Sequence, residues 1–140
     1  MKAILRTVVA VLAGLVVLFI LVVAVELFSA VVHPVPEGFG GTPEEISEHV
    51  EHYPPWVLAV AVPLWAGAAF AGAWTARRIG NVYAAAIVGL LTLAALVCNI
   101  SMLPYPIWFE VASLVAIPAA VIAGNRPARP SKTTVAGDGS

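Results

Sequence analysis

Four long apolar stretches dominate this sequence, and each is close to the length that a helix needs to cross a lipid bilayer. They extend over about residues 5–32, 56–75, 82–103 and 107–124. Because a hydrocarbon core of about 30 Å requires about twenty apolar residues in a helix, they predict an all-α, polytopic membrane protein with four transmembrane helices in one bundle, residues 1–125. Only 11% of the residues are charged, well below the content of an average soluble domain.

The basic residues are confined to one side of these four stretches. Two lie at the start of the first stretch, two lie between the second and the third, and three follow the fourth. The loop of residues 33–55 has five glutamates and no lysine or arginine. The positive-inside rule therefore predicts a multi-pass protein of the cell membrane, with both termini in the cytoplasm and loop 33–55 outside. The basic residues are Lys2, Arg6, Arg77, Arg78, Arg126, Arg129 and Lys132.

The segment after the fourth stretch differs sharply in composition from the rest of the chain. Residues 126–140 are rich in Pro, Gly, Ser and Thr and contain no long apolar run. Such a segment buries too little apolar surface to offset the entropy of ordering. We expect a disordered cytoplasmic tail.

The loop between the first two stretches contains a helix signal of its own. Thr42 is followed by Pro43 and, three residues later, by Glu45, which is the pattern of an N-cap, a proline at N1 and a capping box. The helix must end before the Pro54 and Pro55 pair. The sequence predicts a short extracytoplasmic helix over residues 43–52.

One face of this short helix carries carboxylate and imidazole groups at i, i+3, i+4 and i+7. Side chains of these types can bind Zn²⁺ or another divalent ion, so the face is a candidate metal site. The alternative is an acidic interfacial helix without a cofactor, which we favour because the pattern is short and matches no metal-binding motif. The candidate ligands are Glu45, Glu48, His49 and His52.

Small residues at four-residue spacing indicate where the membrane helices contact one another. Helices in lipid associate through close backbone approach and not through hydrophobic force. Such pairs occur in the second and third stretches. The predicted packing residues are Gly67, Ala68, Ala71, Gly72, Ala85 and Gly89.

Polar residues recur at a similar depth, near the outer ends of three of the predicted helices. In the first helix, two of them are seven residues apart and therefore lie on nearly the same face. Two interpretations remain open: hydrogen bonds that lock the helices together, or a proton, cation or substrate site. The cluster comprises Glu26, Ser29, His33, Asn99, Glu110 and Ser113.

Motifs for catalysis are missing from the sequence. There is no GxSxG, Walker A or HExxH pattern, and the single cysteine, Cys98, cannot form a disulfide within the chain. The net charge of −1 provides no field for nucleic acid. We expect a non-enzymatic accessory, interaction or assembly protein whose partners are the lipid bilayer and either another membrane protein or a second copy.

Two alternatives keep a chemical role for the polar residues. The first is a small oligomeric proton- or cation-coupled transporter that uses the outer carboxylates Glu26 and Glu110 with His33. The second, with weaker support, is a metal-dependent membrane enzyme that uses Glu45, His49 and His52. Both follow from the general rule that ionisable residues inside a membrane protein mark functional sites.

Overall fold

The computed structural model describes residues 1–127, and all regular structure in this range is helical. Four of its five helices are long and apolar enough to cross a membrane, so the all-helical fold class is confirmed. The predicted disordered tail lies outside the described residues from residue 128 onward. The helices are α1 (Lys2–Val32), α2 (Pro43–Glu51), α3 (Pro55–Ile79), α4 (Val82–Met102) and α5 (Ile107–Gly124).

Helix α3 extends beyond the apolar stretch that predicts it. It ends at Ile79 instead of about residue 75, and its last turn contains two arginines. Basic side chains at a helix C-terminus interact favourably with the helix dipole, and Arg6 Nε donates a hydrogen bond to the Ile79 carbonyl at 2.8 Å. Apolar length therefore predicts the end of the apolar part of α3, whereas these polar contacts extend the helix itself.

The turn between α3 and α4 joins three helices at one end of the bundle. Asn81 is the N-cap of α4, and its Oδ1 accepts a hydrogen bond from the Ala84 amide at 3.0 Å. Its Nδ2 donates to Thr7 Oγ1 of α1 at 2.9 Å. We call this end, which also carries Arg6, the basic end, and the opposite end, which carries α2, the acidic end.

Helix α2 has the N-terminal structure that its sequence predicts. Thr42 Oγ1 accepts a hydrogen bond from the Glu45 amide at 3.3 Å. Glu45 Oε2 accepts in return from the amides of Thr42 and Gly40, both at 3.0 Å. These backbone hydrogen bonds, the one from Thr42 foremost, hold the pKa of the Glu45 carboxyl below its usual value.

Helix α3 is the centre of the bundle. It packs extensively against α1 and α5 and also contacts α4. Helix α4 completes the bundle through contacts with α1 and α5, whereas the backbones of α1 and α5 do not approach each other closely within residues 1–127. Helix α2 packs closely on none of the other described helices, so it is held by side chains and loop residues alone.

Two helix backbones approach each other closely near the basic end, where α1 crosses α3. A Cβ added at Gly14 would lie 2.7 Å from the Gly72 carbonyl oxygen and 2.9 Å from Ala76 Cβ. Only glycine permits this close approach of two backbones. A core made almost entirely of alanines surrounds the crossing, together with Val88 of α4: Ala10, Ala76, Ala84 and Ala85.

The predicted packing residues fall into two groups in the structure. Four of them are buried between helices: Ala68, Gly72, Ala85 and Gly89. Ala71 is half-buried, and a Cβ at Gly67 would meet no atom within 4 Å. The packing assignment therefore does not hold for Gly67 within residues 1–127, because it lies on a different face of α3 from Gly72.

Candidate functional site

A cavity that is open to the surface lies between α1 and α4 in the half of the bundle toward the acidic end, and two of its lining residues, Glu26 and Ala95, are exposed. Near the basic end the two helices are held together around Gly14 and Val88, but farther along they leave a space of about 210 Å³. We call this space the central cavity. Its lining residues are Leu18, Val22 and Glu26 of α1, Trp65 of α3, Thr92, Ala95, Leu96 and Asn99 of α4, and Ile117 of α5.

The polar groups of the central cavity are only partly satisfied. Trp65 Nε1 and Asn99 Oδ1 are buried and have no hydrogen-bond partner among residues 1–127. The Glu26 carboxylate lies beside the Trp65 indole, although no hydrogen bond of regular geometry joins them. Thr92 Oγ1, in contrast, donates to the Val88 carbonyl at 2.8 Å. Because unpaired buried polar atoms are costly, this lining favours an occupant that pairs with them.

A second, smaller cavity lies on the acidic-end side of the central cavity and shares Glu26 and Trp65 with it. Its volume of about 20 Å³ is sufficient for one water molecule. Tyr105 also lines it, and burial, with a smaller effect of the Glu26 charge, raises the pKa of this tyrosine to about 12. The hydroxyl therefore remains protonated at neutral pH and can donate a hydrogen bond.

An aromatic core supports the wall of the smaller cavity. Phe109 of α5 is fully buried, and its ring centroid lies 4.7 Å from that of Tyr105 and 5.6 Å from that of Trp65. Val25 of α1 and Leu58 of α3 belong to the same buried cluster. This packing fixes the position of the Trp65 ring beside Glu26.

The structure brings together only part of the polar cluster that the sequence suggests. Glu26 and Asn99 line the central cavity, and Ser29 lines the smaller one. Glu110 is half-buried and lines neither cavity. Ser113 is fully buried, and its Oγ has no hydrogen-bond partner among the described residues.

The sixth member of that cluster, His33, lies apart and attaches α2 to the bundle. Its ring stacks on His49 of α2 with centroids 4.3 Å apart, and its Nε2 lies 3.3 Å from the His49 carbonyl oxygen. Tyr53 contacts both rings, with centroids 4.7 Å from His33 and 5.4 Å from His49. Since α2 packs closely on no other described helix, this aromatic contact is one of its attachments, and Val50 of α2 is buried as well.

The candidate metal ligands lie on one surface, but two of them, Glu45 and His52, take part in other contacts. All four line an open pocket of about 410 Å³ together with His33 and Glu37. Glu45 caps the N-terminus of α2, and His52 Nδ1 lies 2.7 Å from the Glu48 carbonyl oxygen. Within residues 1–127, no group of three or more His, Cys, Asp or Glu side chains is arranged to hold a metal ion.

Acidification is expected to loosen the attachment of α2. Burial, and then the charges of His33 and His52, lower the pKa of His49 below 6.5. As the pH falls through about 6.5, a detached His49 takes up a proton that the attached one resists. The state in which α2 is attached is therefore most stable near neutral pH. Its stability falls as the pH drops from about 6.5 to the lowered pKa of the attached His49. The other ionisable groups around this ring are Tyr53, Glu37, Glu45 and Glu48.

Hydrogen exchange of the α2 amides measures how firmly α2 is attached. The protection factors are compared between neutral pH and about pH 5. We expect protection to fall on acidification in the unmodified chain and to stay constant in His49→Phe, which keeps a ring at the stack but cannot titrate. Equal pH dependence in both proteins would contradict the assignment to His49.

The sequence contained signals for two lining residues that the predicted cluster omits. Thr92 lies seven residues before Asn99, a spacing that places both on one face, and both line the central cavity. Trp65 lies in the middle of its apolar stretch, away from the membrane interfaces where tryptophan is usually enriched.

Chemically, the central cavity combines one carboxylate, one amide, one indole and an apolar wall. This composition suits the binding of a small occupant with a polar and an apolar part. Comparison of the chain with protein-family models, curated proteins and solved structures gives no match in any of the three.

Proposed function

We propose that this chain is a non-enzymatic protein of the cell membrane that acts by binding a partner at the acidic end of its bundle, as an accessory or interaction protein. One observation carries the proposal. Helices α1 and α4 are packed through small residues near the basic end and separate toward the acidic end, around unpaired buried polar atoms. Buried polar atoms are usually hydrogen-bonded, and a polar partner in this space would pair with the two that are unpaired here.

The orientation in this proposal rests on the positions of the charges in the fold. Arg6, Arg77 and Arg78 belong to the same end of the bundle, where Arg6 contacts the end of α3. The positive-inside rule places that end in the cytoplasm. The central cavity then lies toward the outer leaflet, and α2 lies outside the membrane.

Binding fits the cavity better than catalysis. Among the described residues that line the central cavity, Glu26 is the only one with an ionisable side chain. General acid–base or nucleophilic catalysis relies on a reactive group oriented by a second group within hydrogen-bond reach, and the neighbours of Glu26 here are an indole and an amide. Transport through Glu26, Glu110 and His33 has less support, because these residues line no common cavity within residues 1–127.

Site-specific photocrosslinking in cell membranes tests the proposal. A diazirine side chain would be placed at Ala95, which lines the central cavity, and in a matched protein at Val115, which is 66% exposed on α5. We expect a discrete adduct of one mass at Ala95, weakened by Glu26→Gln, and only mixed lipid adducts at Val115. Intact-mass spectrometry reads both. The same lipid mixture at both positions would overturn the proposal.

A further inference from the structure

The central cavity carries two acceptor groups, a carboxylate and a side-chain amide. Its two strongest polar groups are the Glu26 carboxylate and the unpaired Oδ1 of Asn99. Among the described lining residues, the donors beside them are the Trp65 indole and the side-chain NH₂ of Asn99 itself, since the Thr92 hydroxyl is already engaged with a backbone carbonyl. An occupant that complements this lining must bring several donors and a positive charge.

The remaining lining restricts the size and polarity of the occupant. Leu18, Val22, Leu96 and Ile117 form an apolar wall. An apolar cavity of about 150 Å³ in a protein core accommodates benzene, so a volume of about 210 Å³ admits one ring with a short chain. The indole of Trp65 adds an aromatic surface of the kind on which cations bind.

We propose that the central cavity binds a small lipophilic ammonium ion, with the ammonium between Glu26 and Asn99 beside Trp65, and the apolar part against Leu18 and Leu96. This inference deepens the proposed function and rests on it. An ammonium group supplies up to three donors and a compact charge, which pairs with both acceptors and neutralises the carboxylate. The separation of α1 and α4 gives such a molecule entry from the outer leaflet.

The probe for this proposal is 2-phenylethylammonium, titrated into the full-length protein in lipid nanodiscs and followed by calorimetry. Empty nanodiscs of the same lipid correct for partitioning into the bilayer. We expect one saturable site, and binding about tenfold or more weaker for the neutral 2-phenylethanol and for the anion 3-phenylpropanoate. Equal affinity for the ammonium and the alcohol would overturn the role of charge.

Glu26→Gln is the decisive variant, because it removes the charge and keeps the shape. We expect a loss of about tenfold or more in affinity. Glu110→Gln is the matched control, since it makes the same chemical change in a residue that lines neither cavity, and its affinity should not change. Unchanged affinity in Glu26→Gln, or equal losses in both variants, would overturn the site.

A second variant keeps the test valid if Glu26→Gln does not fold. Ala95→Leu narrows the central cavity from the α4 side without changing any charge, and we expect it to abolish saturable binding. Full binding in Ala95→Leu would place the ligand elsewhere.

The two proposals can fail separately. A discrete protein adduct at Ala95, together with no saturable binding of the ammonium probe, would leave the proposed function intact and exclude the ammonium ligand. Mixed lipid adducts at Ala95 would remove the proposed function and this inference with it.

Discussion

Replacement of Phe109 by alanine is expected to lower the free energy of unfolding by about 3 kcal/mol, at the low end of the range for truncating a buried aromatic ring. The ring is fully buried and contacts the rings of Trp65 and Tyr105. In a lipid environment the transfer from solvent contributes little, because acyl chains are as apolar as the core. The expected value therefore reflects the dispersion attraction between the ring and its neighbours, which a void in its place would not provide.

Phe70→Ala is the control for this change. It removes the same ring from α3 at a position that is 40% exposed, so we expect a loss below about 1 kcal/mol. Unfolding in mixed micelles, driven by increasing denaturing detergent, compares the two variants. Equal destabilisation would show that the ring itself matters, and not its burial against Trp65.

Gly14→Ala is expected to destabilise the bundle by about 1–3 kcal/mol through overpacking. The added methyl group would lie 2.7 Å from the Gly72 carbonyl oxygen and 2.9 Å from Ala76 Cβ. Both contacts involve backbone or a side chain without rotamers, so the strain is relieved only if α1 moves away from α3.

Gly67→Ala is the matched control on α3, because its new methyl group meets no atom within 4 Å. The same substitution in a helix interior otherwise favours helix formation by up to about 1 kcal/mol. We therefore expect Gly67→Ala to be neutral or stabilising in the same detergent titration. A loss of stability in Gly67→Ala as large as in Gly14→Ala would contradict the assigned crossing.

The helices themselves could be predicted because their signals are local. Apolar length identified the four long helices, and Thr42 and Glu45 identified the start of α2 through a capping box that forms within four residues. The end of α3 could not be located in this way. It depends on a hydrogen bond from Arg6, which is 73 residues away in the sequence.

The helix contacts and the site were harder to predict, because depth in the membrane does not determine rotation about a helix axis. The sequence predicts a similar depth for Glu110 and Glu26, yet the neighbouring Phe109 is the residue that α5 buries. Gly14 had a local signal, since it follows Ala10 by four residues. Whether such a pair meets another helix, however, depends on the opposite surface, here Gly72 of α3.

The glycine crossing of α1 and α3 also acts on the cavity at a distance. Glu26 follows Gly14 by twelve residues, or about 18 Å along a helix. A change of about 5° in the tilt of α1 at the crossing would therefore move Glu26 by about 1.5 Å. A slight change in packing among the small residues at the basic end would therefore change the width of the opening toward the acidic end.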